Sequence, residues 1–143
     1  MPRRVSARDA HELVSREQHL LVDVRSVTEF EAGHPAGALN IPWMHIDARG
    51  RTPNEDFVAV FERVLPDKSA KIVLTCQGGN RSLQALHALE ARGYTGLVDQ
   101  RAGWGGVRDG FGQITDKGWQ AEGLPSDTGA GDERSYESLR ARR

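Results

Sequence analysis

The fold of this chain is decided by the stretch Lys71–Ser82, which reads KIVLTCQGGNRS. Residues 71–75 form a short, apolar and partly β-branched run, which predicts a strand buried on both faces. Directly after the stretch, leucines at 83, 86 and 89 recur at helical spacing and predict a helix that ends near Gly93. A strand joined to a helix by a glycine-containing loop is the repeating unit of an α/β fold.

Further strands and helices are predicted on both sides of this unit. Helices are expected over residues 7–17, after the N-cap Ser6, and over residues 54–65. Strands are expected at 20–24, 37–42 and 96–98. Strands that alternate with helices predict an α/β fold with a mostly parallel central sheet and helices on both faces.

The length of 143 residues predicts one domain with its own core. We place this domain at residues 1–125. Within it, the glycine-rich segment 102–118 is expected to form a long loop or a small hairpin. Residues 126–143 are polar and predict a flexible C-terminal tail.

Composition excludes several classes of function. The formal net charge is -1 and the arginines are spread along the chain, so no nucleic acid partner is expected. The N-terminal residues precede no apolar run, which predicts neither a signal peptide nor a membrane anchor and favours a cytoplasmic location. With a single cysteine and five scattered histidines, we expect no internal disulfide, no metal site and no cofactor.

The loop after the central strand is the predicted site of chemistry. Ligands of open parallel sheets bind beyond the carboxyl ends of the strands, where Cys76 lies. The glycines at 78 and 79 and the turn-forming Asn80 allow successive backbone N–H groups to curl inward, and the next helix begins there. Such an anion-binding loop favours a thiolate, so Cys76 is the predicted nucleophile.

At these residues the chain resembles the rhodanese family. Its single-domain members have a loop of the form C-x-x-G-x-R-S, which Cys76, Gly79, Arg81 and Ser82 match. The first half is similar to another family signature at Asp23-Val24-Arg25, Glu29-Phe30, Gly33-His34, Gly37-Ala38 and Asn40-Ile41-Pro42. The resemblance covers roughly residues 5–125, and Pro35 and Ala36 depart from it, standing where the family usually has Ile and Pro.

The resemblance implies a thiosulfate sulfurtransferase with a rhodanese-like fold, in which Cys76 carries sulfur as a persulfide. Residues expected to bind the substrate are Gln77, Gly78, Gly79, Asn80, Arg81 and Ser82. Arg81 either helps an anionic donor to approach or holds the loop through a carboxylate. Asp23 and Arg25 follow a buried strand and are expected to give structural support near the site. Arg101, Trp104 and Arg108 of the glycine-rich region are further candidates for the pocket mouth.

The spacing between the cysteine and the arginine separates related classes of enzyme. Phosphatases and arsenate reductases with a similar strand–loop–helix arrangement have five residues between the cysteine and the arginine. In this chain four residues, 77–80, separate Cys76 from Arg81. The smaller size of this loop and the resemblance to rhodaneses together favour sulfane sulfur over a tetrahedral oxyanion as the bound group. The expected donor is a small molecule such as thiosulfate. The expected acceptor is an external thiol, cyanide or an acceptor protein, because the chain has no second cysteine to receive the sulfur. A protein-to-protein sulfur relay and a non-catalytic binding module are the alternatives.

Overall fold

A computed structural model of the chain describes residues 3–142. Its strands are β1 (Arg3–Val5), β2 (Leu20–Asp23), β3 (His34–Pro35), β4 (Leu39–Asn40), β5 (Met44–Asp47), β6 (Gly50–Pro53), β7 (Ile72–Thr75), β8 (Leu97–Gln100), β9 (Val107–Arg108), β10 (Ile114–Asp116) and β11 (Ser126–Asp127). Its helices are α1 (Ala7–Arg16), α2 (Val27–Ala32), α3 (Phe57–Val64), α4 (Asn80–Glu90) and α5 (Tyr136–Ala141), with a 3-10 turn at Asp132–Arg134.

Five strands form the central sheet in the order β1-β8-β7-β2-β4. Every neighbouring pair in this sheet is parallel. The predicted α/β fold with a parallel central sheet is therefore confirmed. None of the helices within residues 3–142 is long and apolar enough to cross a membrane.

The two faces of the sheet pack against different helices. In β7, Leu74 belongs to one buried cluster and Val73 to the other, because successive side chains of a strand point to opposite faces. The Leu74 cluster includes buried residues of α3, α4 and α5. The Val73 cluster includes residues of α1 and also Phe30 and Trp119. Because helices cover both faces, a site is accessible at the ends of the strands.

The glycine-rich region contains the expected small hairpin, formed by the antiparallel strands β9 and β10. Before this hairpin, residues 102–106 pack against the loop that follows β7 and donate backbone hydrogen bonds to it. Phe111, near the hairpin tip, is 94% exposed. The region therefore has two parts, one packed against the Cys76 loop and one that projects into solvent.

The expectation of a flexible tail is wrong for the end of the described chain. Helix α5 begins after Ser135, whose side chain accepts a hydrogen bond from the amide of Ser138. Tyr136 and Leu139 are buried and belong to the same core cluster as α3 and α4. Two apolar side chains three residues apart place one face of a short helix in the core, although the segment as a whole is polar.

Candidate active site

Cys76 lies directly after β7, at the carboxyl edge of the parallel sheet. The residue is only 1% exposed. The amide of Gly79 donates to Sγ at 3.1 Å, and the thiol donates to the Ser82 hydroxyl at 3.3 Å. The loop therefore encloses the sulfur atom and points a backbone donor at it, which stabilises negative charge on sulfur.

Gly79 is the residue that allows the loop to close around the sulfur. Its φ of +92° lies in the left-handed region, which favours glycine. A Cβ atom at this position would lie 2.3 Å from the Arg101 carbonyl oxygen, well inside van der Waals contact. Both conformation and space therefore require glycine at this position.

The glycine-rich segment supports the Cys76 loop by backbone hydrogen bonds. The amide of Trp104 donates to the Cys76 carbonyl at 2.7 Å, and the amide of Gly105 donates to the Gln77 carbonyl at 3.0 Å. Gly103 has a φ of +67°, and a Cβ there would lie 2.5 Å from both of these carbonyl oxygens. The close approach of two backbones explains why glycines are concentrated here.

Arg81 pairs with a carboxylate from the first half of the chain. Its Nη1 and Nη2 donate to Glu29 Oε1 and Oε2 at 2.7 and 2.9 Å, a bidentate geometry. Burial by itself raises the pKa of Glu29, but hydrogen bonding and the charge of Arg81, together with hydrogen bonds from Ser26, outweigh it and lower that pKa to about 2. Of the two roles that the sequence leaves open for Arg81, this contact favours holding the loop.

Asp23 and Arg25 form a buried ion pair beside the loop. The Arg25 Nη2 donates to Asp23 Oδ2 at 2.8 Å and to the Gly33 carbonyl at 2.6 Å. Its Nη1 reaches Gln77 Oε1 at 3.2 Å, and the guanidinium lies 5.2 Å from the centre of the Trp104 ring. This network joins α2, the Cys76 loop and the glycine-rich segment.

The predicted site residues divide into three groups. Cys76, Gly79 and Ser82 come together around the sulfur. The side chains of Gln77 and Arg81 point to partners in the first half of the chain, Arg25 and Glu29. Gly78 and Asn80 are exposed at the outer edge of the loop. Within residues 3–142, no group of three or more His, Cys, Asp or Glu side chains could hold a metal ion.

Sequence reasoning missed two residues that lie close to the loop. Glu29 stands within a motif of the first half, but nothing in the pattern connects it with Arg81, 52 positions away. Arg4 lies in the first strand, and its guanidinium approaches Gly79 closely enough that a Cβ there would be 3.1 Å from Nη2. For Arg4, the only signal in the sequence is a positive charge next to the apolar Val5.

Two curated proteins that are similar to this chain are named thiosulfate sulfurtransferases. The chain is 34% identical over 128 residues to thiosulfate sulfurtransferase 16, chloroplastic, of Arabidopsis thaliana, an alignment that covers 88% of this chain and 93% of the relative. Thiosulfate sulfurtransferase 18 of the same plant is 38% identical over 78 residues, which cover 53% and 57% of the two chains.

Two solved structures are also similar to this chain. The Rv0390 protein of M. tuberculosis superimposes with a TM-score of 0.69 at 29% identity, covering 88% of this chain and 97% of that one. The human single-domain sulfurtransferase TSTD1 gives a TM-score of 0.54 at 30% identity, over 73% and 92% of the two chains. Residues 6–108 match the model of the rhodanese-like domain. This chain is a member of the rhodanese-like domain family.

Proposed function

We propose that this protein is a sulfurtransferase that moves sulfane sulfur from a donor such as thiosulfate to a thiol or cyanide acceptor. The observation that carries the proposal is the position of Cys76 Sγ, enclosed by its loop with the Gly79 amide donating to it at 3.1 Å. An amide directed at Sγ stabilises the attacking thiolate and the same thiolate when the second transfer releases it. The thiosulfate sulfurtransferases among the relatives support the choice of donor.

The proposed reaction has two transfers. The Cys76 thiolate attacks the outer sulfur of thiosulfate, a sulfur–sulfur bond forms to Sγ, and sulfite leaves with the electron pair of the broken bond. The enzyme is left as a Cys76 persulfide. A nucleophilic acceptor then attacks the outer sulfur of that persulfide and releases Cys76 as a thiolate, which is ping-pong covalent catalysis.

The remaining loop residues have supporting roles in this proposal. Gln77, Gly78, Gly79 and Asn80 give the loop its shape, and the hydroxyl of Ser82 hydrogen-bonds with the sulfur. Arg81, anchored on Glu29, fixes the end of the loop and adds positive potential beside the site. Asp23 and Arg25 hold the neighbouring backbone as a buried structural pair.

The acceptor has to come from outside the chain, because Cys76 is the single cysteine. A small thiol, cyanide or a cysteine of a partner protein fits this requirement, so a sulfur-relay role is the second candidate. We also propose a cytoplasmic location, although one relative is named chloroplastic. Imaging of the tagged protein in its own cell type tests the location.

Intact-mass spectrometry tests the function. The protein is incubated separately with thiosulfate, with 3-mercaptopyruvate and with a persulfidated donor protein. We expect a gain of one sulfur atom with thiosulfate, abolished by Cys76→Ser. Sulfur uptake from the protein donor alone would favour the relay role. If no donor loads Cys76, the sulfurtransferase proposal is wrong.

A further inference from the structure

A cavity of about 570 Å³ lies beside β4, the strand at one edge of the central sheet. We call it the edge cavity; the residues that define it are Phe30, Glu31, Asn40, Tyr136, Glu137 and Arg140. Its walls come from α2, β4 and α5, and none of residues 76–82 lines it. Cavities of roughly 300–1,000 Å³ bind organic molecules, so the volume of the edge cavity suits a small ligand.

The side chain of Asn40 has a buried oxygen without a partner. Its Nδ2 donates to the carbonyls of Asp23 and Arg25 at 3.1 and 3.0 Å, which fixes the orientation of the amide. Within residues 3–142, Oδ1 accepts no hydrogen bond, although Asn40 is only 1% exposed. A buried amide oxygen is normally hydrogen-bonded, so this one indicates a donor that the described chain does not supply.

The backbone of Asn40 is in the same condition. The amide of Ile41 donates to the Asp23 carbonyl at 3.1 Å, and Asn40 is the register partner of Asp23. In a parallel pair this pattern directs the N–H and C=O of Asn40 away from β2, towards the open edge. Neither group has a hydrogen-bond partner in the part of the chain that the structure describes. Asn40 therefore presents one free donor and two free acceptors.

Three charged side chains surround the edge cavity. Glu31, Glu137 and Arg140 are exposed, and among residues 3–142 none of these side chains forms an ion pair or a hydrogen bond. The Arg140 guanidinium lies 6.0 Å from the centre of the Tyr136 ring. Two free carboxylates suit an ammonium group, and a free guanidinium suits a carboxylate.

The apolar part of the edge cavity comes from both core clusters. Phe30 belongs to the cluster that contains Val73, and Tyr136 belongs to the cluster that contains Leu74. Val27, which also lines the cavity, is 37% exposed. A ligand with apolar side chains would bury this surface on binding.

We infer that the edge cavity binds a short peptide of about dipeptide size, with free termini and apolar side chains. Its peptide bond would exchange hydrogen bonds with the N–H and C=O of Asn40, as an added strand does at a sheet edge. Its ammonium group would pair with Glu31 and Glu137, and its carboxylate with Arg140. The binding is non-covalent and does not depend on the proposed sulfur transfer.

Calorimetric titration of the full chain with leucyl-leucine at low ionic strength tests the inference. We expect saturable binding to one site with a Kd below about 1 mM. N-acetyl-leucyl-leucine, which lacks the ammonium group, and leucyl-leucinamide, which lacks the carboxylate, should each bind roughly fivefold more weakly. Glycyl-glycine lacks apolar side chains and should not saturate the protein at about 5 mM.

Two variants assign the binding to the edge cavity. Glu137→Gln should weaken leucyl-leucine binding roughly fivefold, whereas Glu133→Gln, an exposed glutamate outside the cavity, should leave it unchanged. Ala130→Trp places a large side chain at an exposed position of the lining and should abolish binding. Circular dichroism confirms that both variants are folded. In an amide NMR spectrum, leucyl-leucine should move the signal of Asn40 and leave that of Gly110 in place.

Three results would overturn the inference. The first is titration of the wild-type protein that shows no saturation by about 5 mM leucyl-leucine. The second is binding that neither Glu137→Gln nor Ala130→Trp changes, which would place the peptide elsewhere. The third is equal affinity for leucyl-leucine and its two blocked forms. None of these results bears on sulfur loading of Cys76, which is measured separately.

Discussion

Arg81 and Glu29 form a bidentate ion pair, with N–O distances of 2.7 and 2.9 Å, that joins the end of the Cys76 loop to helix α2. The Arg81 side chain is 7% exposed and the Glu29 side chain 26%. Ser26 caps the same helix and exchanges hydrogen bonds with Glu29. The geometry of the loop therefore depends on a helix from the first half of the chain.

This ion pair makes stability depend on acidity. The pKa of Glu29 is about 2 in the folded protein, against roughly 4.3 for an unperturbed glutamate. Because the folded pKa is the lower one, the stabilisation is complete above the unfolded value and is lost as pH falls from about 4.3 towards 2. Urea unfolding at a series of pH values should show that Glu29→Gln costs roughly 1–3 kcal/mol at pH 7 and progressively less in acid.

The control for this experiment is Glu31→Gln, an exposed glutamate of the same helix. It should change the free energy of unfolding by less than about 0.5 kcal/mol. A difference between the wild type and Glu29→Gln that stays constant from pH 7 down to pH 2.5 would contradict the role assigned to the ion pair.

Gly79→Ala should disrupt the loop. An alanine there needs a left-handed backbone and brings Cβ to 2.3 Å from the Arg101 carbonyl oxygen. We expect a loss of roughly 2–4 kcal/mol in the free energy of unfolding, from backbone strain and overpacking together. Sulfur loading should also be lost. Gly110→Ala is the matched control, because nothing lies within 4 Å of its Cβ position; equal behaviour of the two variants would refute this prediction.

Asp23→Asn should destabilise the protein strongly. Arg25 is 2% exposed and Asp23 is fully buried, so the variant leaves a buried guanidinium without its counter-charge. The expected cost is about 3–5 kcal/mol, measured by denaturant unfolding. Glu12→Gln breaks the exposed pair with Arg16 and should cost less than about 0.5 kcal/mol. Comparable costs for both variants would show that Asp23 has no special structural role.

The strand, loop and helix around Cys76 are predictable from sequence because apolar periodicity and loop glycines are local signals. The end of β8 is not, because Asp99 and Gln100 are polar and their buried positions depend on partners elsewhere, such as Arg4 for Asp99. The pairing of Arg81 with Glu29 is equally hidden, since a contact across 52 positions leaves no periodic pattern in one sequence.

The docking of α5 could not be predicted for a related reason. Only Tyr136 and Leu139 of this helix are buried, so the apolar content of the segment stays low. Leu139→Ala should cost about 2–4 kcal/mol in the free energy of unfolding, as for a fully buried leucine. The neighbouring exposed change Ser138→Ala serves as the control. If Leu139→Ala unfolds like the wild type, the last helix does not contribute to the core.

The central claim, that Cys76 accepts sulfur covalently before any acceptor binds, is tested most directly by sulfite release. The full chain is mixed with excess thiosulfate in the absence of an acceptor, and sulfite is measured against time. A two-stage mechanism predicts a rapid burst that stops at about one sulfite per chain, and no burst for Cys76→Ser. No sulfite from the wild-type protein, or an equal burst from Cys76→Ser, would contradict the account.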